Sequence, residues 1–350
     1  MKLTVETFTV HKKFALQISR GTTAKNTNIW LRIHEENLEG WGEVSPFSIT
    51  KNQSEDTANL LLEFKQIIPQ LEQFHPLQRQ EIRTKLQQMQ VASAIQAAID
   101  MALYDWLGKT AGLPLWQIWG LNRDRIVPIS VTIGISTPEA AVTRLQDWQS
   151  TLEVKMLKLK LGSSEGIEAD RAMVEAIRQS APQTRITVDA NGGWSFNEAI
   201  NMSHWLVEQG VEYIEQPLPV AQDDRLAALS QQSPLPIFVD ESCFTSADIL
   251  RLANSVAGVN LKIMKTGGLT AAMEAIQVAQ ACGLKVMFGC YSDSSLANTA
   301  MAHLAPWADY LDLDSHLNLI DDPFCGATIE AGRLLPNNQP GLGVTHHVDS

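Results

Sequence analysis

Carboxylates and lysines recur at the ends of successive strand-like runs. Lys160 closes the run from Val154, Asp189 follows Ile186-Thr187-Val188, and Glu215 follows Tyr213-Ile214. Asp240 follows Ile237-Phe238-Val239, and Lys265 follows Leu261-Lys262-Ile263-Met264. Three carboxylates at adjacent strand ends repel one another severely in a partly dry site unless a cation neutralises them. Ligation by oxygen alone suits Mg²⁺, with Mn²⁺ as the alternative, and leaves positions for water or substrate.

The lysines complete the constellation. In Val154–Gly162, Leu157, Leu159 and Leu161 share one face, and Lys158 and Lys160 share the other. If these runs are consecutive strands of an eight-stranded barrel, Lys160 and Lys265 stand on opposite sides of its mouth and the acids occupy the arc between them. Asp312 and Asp314, two residues apart on a last strand, project inward from the far arc. Such a site accepts a substrate with a carboxylate at the metal and an ammonium on the acid pair. A base on each flank of its α-carbon allows proton removal from one face and return to the other, which is racemisation or epimerisation. One difficulty concerns strand alternation. If Asn260 and Lys262 point inward, Lys265 reaches the site only where the pleat breaks, near Thr266-Gly267-Gly268.

The elements that would position these groups follow from their period. The five residues are about 25 to 29 positions apart, the length of one strand, one helix and two loops. Helical patterns fill the gaps at Ala169–Gln179, Asn197–Glu208 and Ala247–Leu252. With Val127–Gly134 first, and Lys285–Gly289 and Tyr310–Asp314 last, eight strands are expected over 126–316, an α/β (β/α)7β TIM-like barrel. Residues 1–125 read as an α+β capping domain. Its strands are Leu3–Val5, Phe8–Val10 and Ile29–Ile33, with a polar loop at Ser19–Asn26 and a turn region at Gly40–Glu43. Its helices are expected at Ser54–Gln73, Leu77–Gln88 and Ala92–Leu107. Residues 317–350 are expected to return to it.

Composition sets outer bounds. A 350-residue chain with 45% hydrophobic residues supports a large core, and a formal charge of −12 argues against nucleic acid or an anionic membrane as partner. The four cysteines lack Cys-x-x-Cys spacing and read as reduced thiols. With no long apolar run and no signal-like N-terminus, a cytoplasmic location is expected. His204 and His303 read as packing or surface residues, and His316, close behind the acid pair, as a weaker site candidate.

Taken together, Lys158-Leu159-Lys160, Asp189-Ala190-Asn191-Gly192-Gly193-Trp194, Glu215-Gln216-Pro217, Asp240-Glu241-Ser242, Lys262–Gly268 and Asp312-Leu313-Asp314 resemble the enolase superfamily. The resemblance is to its muconate-lactonising subgroup and, within that, to the dipeptide epimerases, over nearly the whole chain. It implies Lys160 and Lys265 as the two acid/base catalysts and Lys158 as polarising the bound carboxylate. It implies Asp189, Glu215 and Asp240 as Mg²⁺ ligands supporting an enediolate. Asp312 and Asp314 would bind the dipeptide ammonium, one residue away from the carbon that is inverted. Asn191 is expected to support the metal ligands. Arg20, in the capping loop, would pair with a C-terminal Glu side chain, pointing to L-Ala-D/L-Glu epimerisation and cell-wall peptide metabolism. Cys290, Tyr291 and Ser292 depart from the commoner subgroup pattern and border the substrate. A cycloisomerase or o-succinylbenzoate synthase, an epimerase for hydrophobic or cationic dipeptides, and an inert barrel are the alternatives; a homo-oligomer is left open.

Overall fold

A computed structural model of the chain describes residues 1–50, 53–54 and 56–347. Eight parallel strands stand side by side in chain order: Ser130–Ile133, Met156–Lys160, Arg185–Asp189, Val211–Glu215, Ile237–Val239, Gly258–Leu261, Lys285–Gly289 and Tyr310–Asp312. A bridge between Ile129 and Leu311 brings the eighth against the first and closes the barrel. A helix follows every strand but the last, which is the expected (β/α)7β order. Several helices start where the sequence signals it. Ser195 with Glu198, and Thr245 with Asp248, form reciprocal capping boxes, and Thr137 caps a helix whose first residue is Pro138.

Strand two is buried on both faces. Leu157 and Leu159 pack outward under the helices, while Lys158 and Lys160 face the barrel interior. The same period of two builds a floor beneath the charged layer. Tyr213 precedes Glu215 by two residues, Phe238 precedes Asp240, and Met287 precedes Gly289. These three cluster, with Tyr310 packed against them two residues before Asp312. Tyr213 and Phe238 stack at 4.3 Å between ring centroids. Gly258 makes room for that layer, since a Cβ there would lie 2.3 Å from the Phe238 ring. The charged residues therefore rest on an aromatic plug.

The N-terminal segment departs from expectation in two places. Ser19–Asn26 is the tip of a long β-hairpin and not a loop: Lys2–Ile18 pairs with Gly21–Glu35, with Ile18 opposite Gly21 and Val10 opposite Asn26. The second strand is exposed over Gly21–Lys25, so its polar composition imitates a loop. Gly40–Glu43 lies within a third strand, Leu38–Val44. Its glycines let helix Ser93–Ala111 lie directly on the sheet. A Cβ at Gly42 would fall 1.9 Å from the Ala98 carbonyl oxygen, and one at Gly40 2.0 Å from that of Ala102.

The hairpin crosses the barrel mouth. On one side the His11 amide and Nδ1 meet Asp321 at 2.7 Å, Lys13 meets Asp147 at 2.6 Å, and the Phe14 amide donates to Asn318 at 3.1 Å. On the other, Ser19 and Arg20 donate to the Asn191 carbonyl at 2.9 and 3.2 Å. The C-terminal segment divides its contacts. Phe324 packs on Phe8 and Trp30, and His346 stacks on Trp30 at 4.7 Å. Gly332 accepts from the Ile129 amide at 2.9 Å, beside the barrel. Residues 348–350 of the expected 317–350 return lie outside the described residues. No helix of the described residues is long and apolar enough to cross a membrane.

Candidate active site

A cavity of about 270 Å³ lies between the strand ends and the hairpin, lined among others by Lys160, Lys262, Tyr291, Phe47, Leu16 and Ile18. It adjoins a chamber of about 50 Å³ that also touches Lys160 and holds Asp312 and Asp314. One wall is thus cationic, one acidic, and the roof largely apolar.

Asp189 and Glu215 are register partners on strands three and four, and Asp240 stands just past the end of strand five. All three carboxylates are buried. Lys160 contacts Asp189 at 2.6 Å, and Lys158 lies 2.7 Å from Glu215 and 3.5 Å from Asp189. Burial, with repulsion from Asp189 and Asp240, pushes the Glu215 carboxyl up to about 7. Burial would raise Asp189 too, but Lys160 and Lys158 outweigh it and hold that carboxyl below its ordinary range. Each of the three carboxylates is balanced by lysine: Asp189 by Lys160, Glu215 Oε2 by Lys158 and Asp240 by Lys262. Among the described residues no three His, Cys or acidic side chains are drawn together tightly enough to grip an ion as they stand. The donor set itself, three hard oxygen anions on adjacent strands, fits a small divalent cation.

Lys265 is not where the resemblance implied. Strand six ends at Leu261, and one helical turn, Ile263–Thr266, follows before Gly267 at φ 89° breaks it. Lys262 therefore keeps the inward direction set by strand alternation, and Lys265 lies on the turn behind it. The Lys265 amine is fully enclosed. It donates to Asp240 Oδ1 at 2.6 Å and to the carbonyls of Asp240, Cys243 and Asn260 at 2.6, 3.0 and 3.0 Å. Lys265 is not among the residues lining the cavity, whereas Lys262 is. Lys262 meets Asp240 Oδ2 at 2.7 Å and sits 4.3 Å over the Tyr291 ring. Burial works against its charge, but Asp240 prevails and its pKa is raised. The lysine facing Lys160 across the cavity is Lys262.

Lys158 does not line the cavity either. Its buried ammonium joins Glu215 to Asp312 at 2.7 Å each, tying the strand-four acid to the far acid pair. Asp312 also accepts from the hydroxyls of Ser130 and Thr132 at 3.0 and 3.3 Å. Asp314 accepts the Thr132 amide at 2.7 Å, and burial together with Asp312 raises its carboxyl to about 6. Asp314 is thus the less neutralised of the two and the better placed to receive an ammonium.

Arg20 spans the mouth and pairs with Glu241 as well as the Asn191 carbonyl. The Asn191 side-chain amide reaches Asp189 and Glu241 at 3.1 Å each, and its backbone amide donates to Asp189 at 2.8 Å. That arrangement requires the left-handed φ of 45° at Asn191. Tyr291 stacks on Phe47 at 4.6 Å, Cys290 Sγ donates to the Asp312 carbonyl at 3.1 Å, and the Ser292 carbonyl accepts from Asn28 at 3.0 Å. His303 is a packing residue, accepting from the Trp116 amide and facing the Leu342 carbonyl. His316 is buried, with Nδ1 unpartnered.

Two supporting residues carried too little signal to be chosen from the sequence. Asn260 donates to Glu215 at 2.8 Å, and only its place two residues before Lys262 hinted at it. Gln216 Oε1 accepts the amides of Asp240 and Ser242 at 2.9 and 3.3 Å, fixing the strand-five loop.

Residues 2–120 match the model of the mandelate racemase / muconate lactonizing enzyme N-terminal domain, and residues 140–350 match the enolase C-terminal domain-like model. A hydrophobic dipeptide epimerase from Roseobacter litoralis is 42% identical over 345 residues, covering 98% of each chain. An L-Ala-D/L-Glu epimerase from Bacteroides thetaiotaomicron is 34% identical, covering 98% of this chain and 88% of its own. The crystal structure of a dipeptide epimerase from Enterococcus faecalis, complexed with Mg and L-Leu-L-Tyr, superposes with a TM-score of 0.90 at 30% identity, covering 99% of each chain. The chain belongs to the enolase superfamily, in the mandelate racemase / muconate lactonizing enzyme family, alongside the dipeptide epimerases.

Proposed function

We propose that this protein inverts the α-carbon of the C-terminal residue of a dipeptide with an apolar side chain there, using Lys160 and Lys262 as the two bases. The observation that carries this reading is that these two amines, from strands two and six, line one cavity. The similar Enterococcus faecalis protein, seen with Mg and L-Leu-L-Tyr, supports the substrate class and the cation.

Asp189, Glu215 and Asp240 would hold Mg²⁺. Bound there, the cation supplies a seat for the substrate carboxylate and stabilises the negative charge that develops on it. Lys160, as the free amine, takes the α-proton from one face; the C–H electron pair passes into the carboxylate. Lys262, as the ammonium, returns a proton to the other face, and the two exchange roles for the reverse direction. Asp314 receives the dipeptide ammonium, with Asp312 held in place by Lys158. Lys158 is then a positioning residue, because its amine touches acids and not the cavity. Asn191 orients Asp189, and Asn260 orients Glu215.

Leu16, Ile18, Phe47 and Tyr291 favour an apolar C-terminal side chain over Glu. Arg20, expected to meet a substrate carboxylate, already pairs with Glu241. The relative at 42% identity, a hydrophobic dipeptide epimerase, supports the same preference.

The test is to incubate the protein with Mg²⁺ in D₂O and follow α-proton loss by NMR for L-Leu-L-Tyr, L-Leu-L-Leu and L-Ala-L-Glu. Exchange and inversion at the C-terminal residue, fastest with the apolar substrates, is expected. Fastest turnover of L-Ala-L-Glu would overturn the side-chain preference, and no exchange with any dipeptide would overturn the reaction.

A further inference from the structure

On the strand Lys2–Ile18, alternation turns Val10, Lys12, Phe14, Leu16 and Ile18 toward the barrel mouth and leaves His11, Lys13, Ala15 and Gln17 exposed. Four of the five inward residues are apolar, and the fifth carries an ammonium. Its neighbour Lys13 points outward to Asp147. Lys12 instead lines both the main cavity and the small chamber holding Asp312 and Asp314.

Lys12 shares the small chamber with Asp312 and Asp314; burial lowers its pKa, against the pull of Cys290, Asp314 and Asp293. Among the described residues, no acidic oxygen comes within the 4.0 Å of an ion pair with it. The backbone beneath is held in place: Lys12 bridges to Leu319, and the Ile320 amide donates to the His11 carbonyl at 3.0 Å. Pairing with the second hairpin strand breaks between His11 and Leu16, so this stretch is fastened to the barrel side of the molecule. An ammonium without an ion-pair partner, on a backbone held in place, therefore shares the chamber of the acid that receives the substrate ammonium.

In a dipeptide, the N-terminal side chain leaves the same carbon as that ammonium. Anchoring the ammonium on Asp314 holds the side chain close to Lys12. We propose that Lys12 is a specificity residue that sorts dipeptides by the charge of their N-terminal side chain, rejecting Lys or Arg and favouring Asp or Glu over a neutral residue. The proposal rests on the dipeptide reading above and extends it to the other residue of the substrate. Like charges placed together discriminate between partners more strongly than they alter the rest of an interface.

The experiment compares kcat/KM for L-Lys-L-Leu, L-Leu-L-Leu and L-Glu-L-Leu, by α-proton exchange in D₂O, in the wild type, Lys12→Met and Lys12→Glu. Ratios between substrates are taken within each protein, so a change in folded fraction cancels. The wild type is expected to rank Glu-Leu above Leu-Leu and to use Lys-Leu roughly tenfold less well than Leu-Leu. Lys12→Met should compress the series, and Lys12→Glu should invert it. Rising salt should narrow the wild-type spread. An unchanged ranking in both variants, with dipeptides still turned over, overturns the role of Lys12 alone. No exchange with any of the three by the wild type overturns the dipeptide reading and this role together.

Discussion

Lys262 and Lys265 grip the two oxygens of one carboxylate: the first holds Asp240 Oδ2 at 2.7 Å and the second Oδ1 at 2.6 Å. They are three residues apart, and the short turn between them puts one amine at the cavity and the other behind the acid. The same residue type thus serves two purposes within one turn of chain.

Replacing each lysine should separate those purposes. Lys160→Ala and Lys262→Ala are each expected to lower epimerisation by about 10² to 10⁴. Each should also abolish α-proton exchange from one epimer of the substrate while sparing the other. Lys265→Met should act on stability, because it leaves Asp240 Oδ1 and three buried carbonyls without their donor, a loss of about 3–5 kcal/mol. Urea unfolding and single-epimer exchange in D₂O read the two effects. A Lys265→Met protein of normal stability with one-sided loss of exchange would contradict the assignment.

Asn191 should act through the metal site. Its amide and backbone N–H both hold Asp189, so Asn191→Ala is expected to weaken Mg²⁺ binding about 10- to 100-fold. Calorimetric titration of the apoprotein with Mg²⁺ checks this. Unchanged affinity would leave Asn191 as a link between Arg20 and Glu241 only.

Asp314 should give kcat/KM an acid limb. Its carboxyl is raised to about 6, chiefly by burial and then by Asp312. An acid with a raised pKa is neutral below that value, and the neutral form no longer attracts the dipeptide ammonium. The kcat/KM of the wild type should therefore fall as pH drops through about 6. Asp314→Asn should lose that limb and show a KM raised roughly tenfold above it, with kcat less affected. An identical limb in Asp314→Asn would assign it to another group.

Gly289, at the end of strand seven, keeps space for Asn260 and Lys262. A Cβ there would lie 2.7 Å from the Asn260 amide and 3.0 Å from Lys262 Cε. Gly289→Ala should displace both side chains, and with them the hydrogen bond to Glu215, lowering kcat by roughly tenfold for a stability loss of about 1–3 kcal/mol. Full activity in a stable variant would show that the two side chains accommodate the methyl group.

Much of this architecture could be read from the chain because both periods leave marks. Residues at strand ends inherit their direction from a simple alternation, and so Asp189, Glu215, Asp240, Lys160 and the Asp312/Asp314 pair were placed from sequence. Lys262 and Lys265 are harder to tell apart, because alternation favours the first and the family resemblance the second. The deciding detail is that strand six gives way after Leu261 to the helical turn Ile263–Thr266, a change that side-chain alternation does not announce. The hairpin at Ser19–Asn26 reads as a loop from sequence because strands exposed to water need no apolar face, and without one their period is invisible. Arg20 was expected to meet a substrate. Its partner Glu241 is 221 residues further along the chain, a pairing that no local pattern encodes.

The ribbon fastened across the mouth at His11, Lys13 and Phe14 on one bank and at Ser19 and Arg20 on the other has an evolutionary corollary. Lys12, Leu16 and Ile18, part of the cavity lining, ride on a short, continuous piece of polypeptide, remote in sequence from Lys160 and Lys262. Exchanging residues 12–20 for the matching stretch of a cousin would change that part of the lining in one step, with Lys160 and Lys262 left as they are. Diversification here can proceed by grafting.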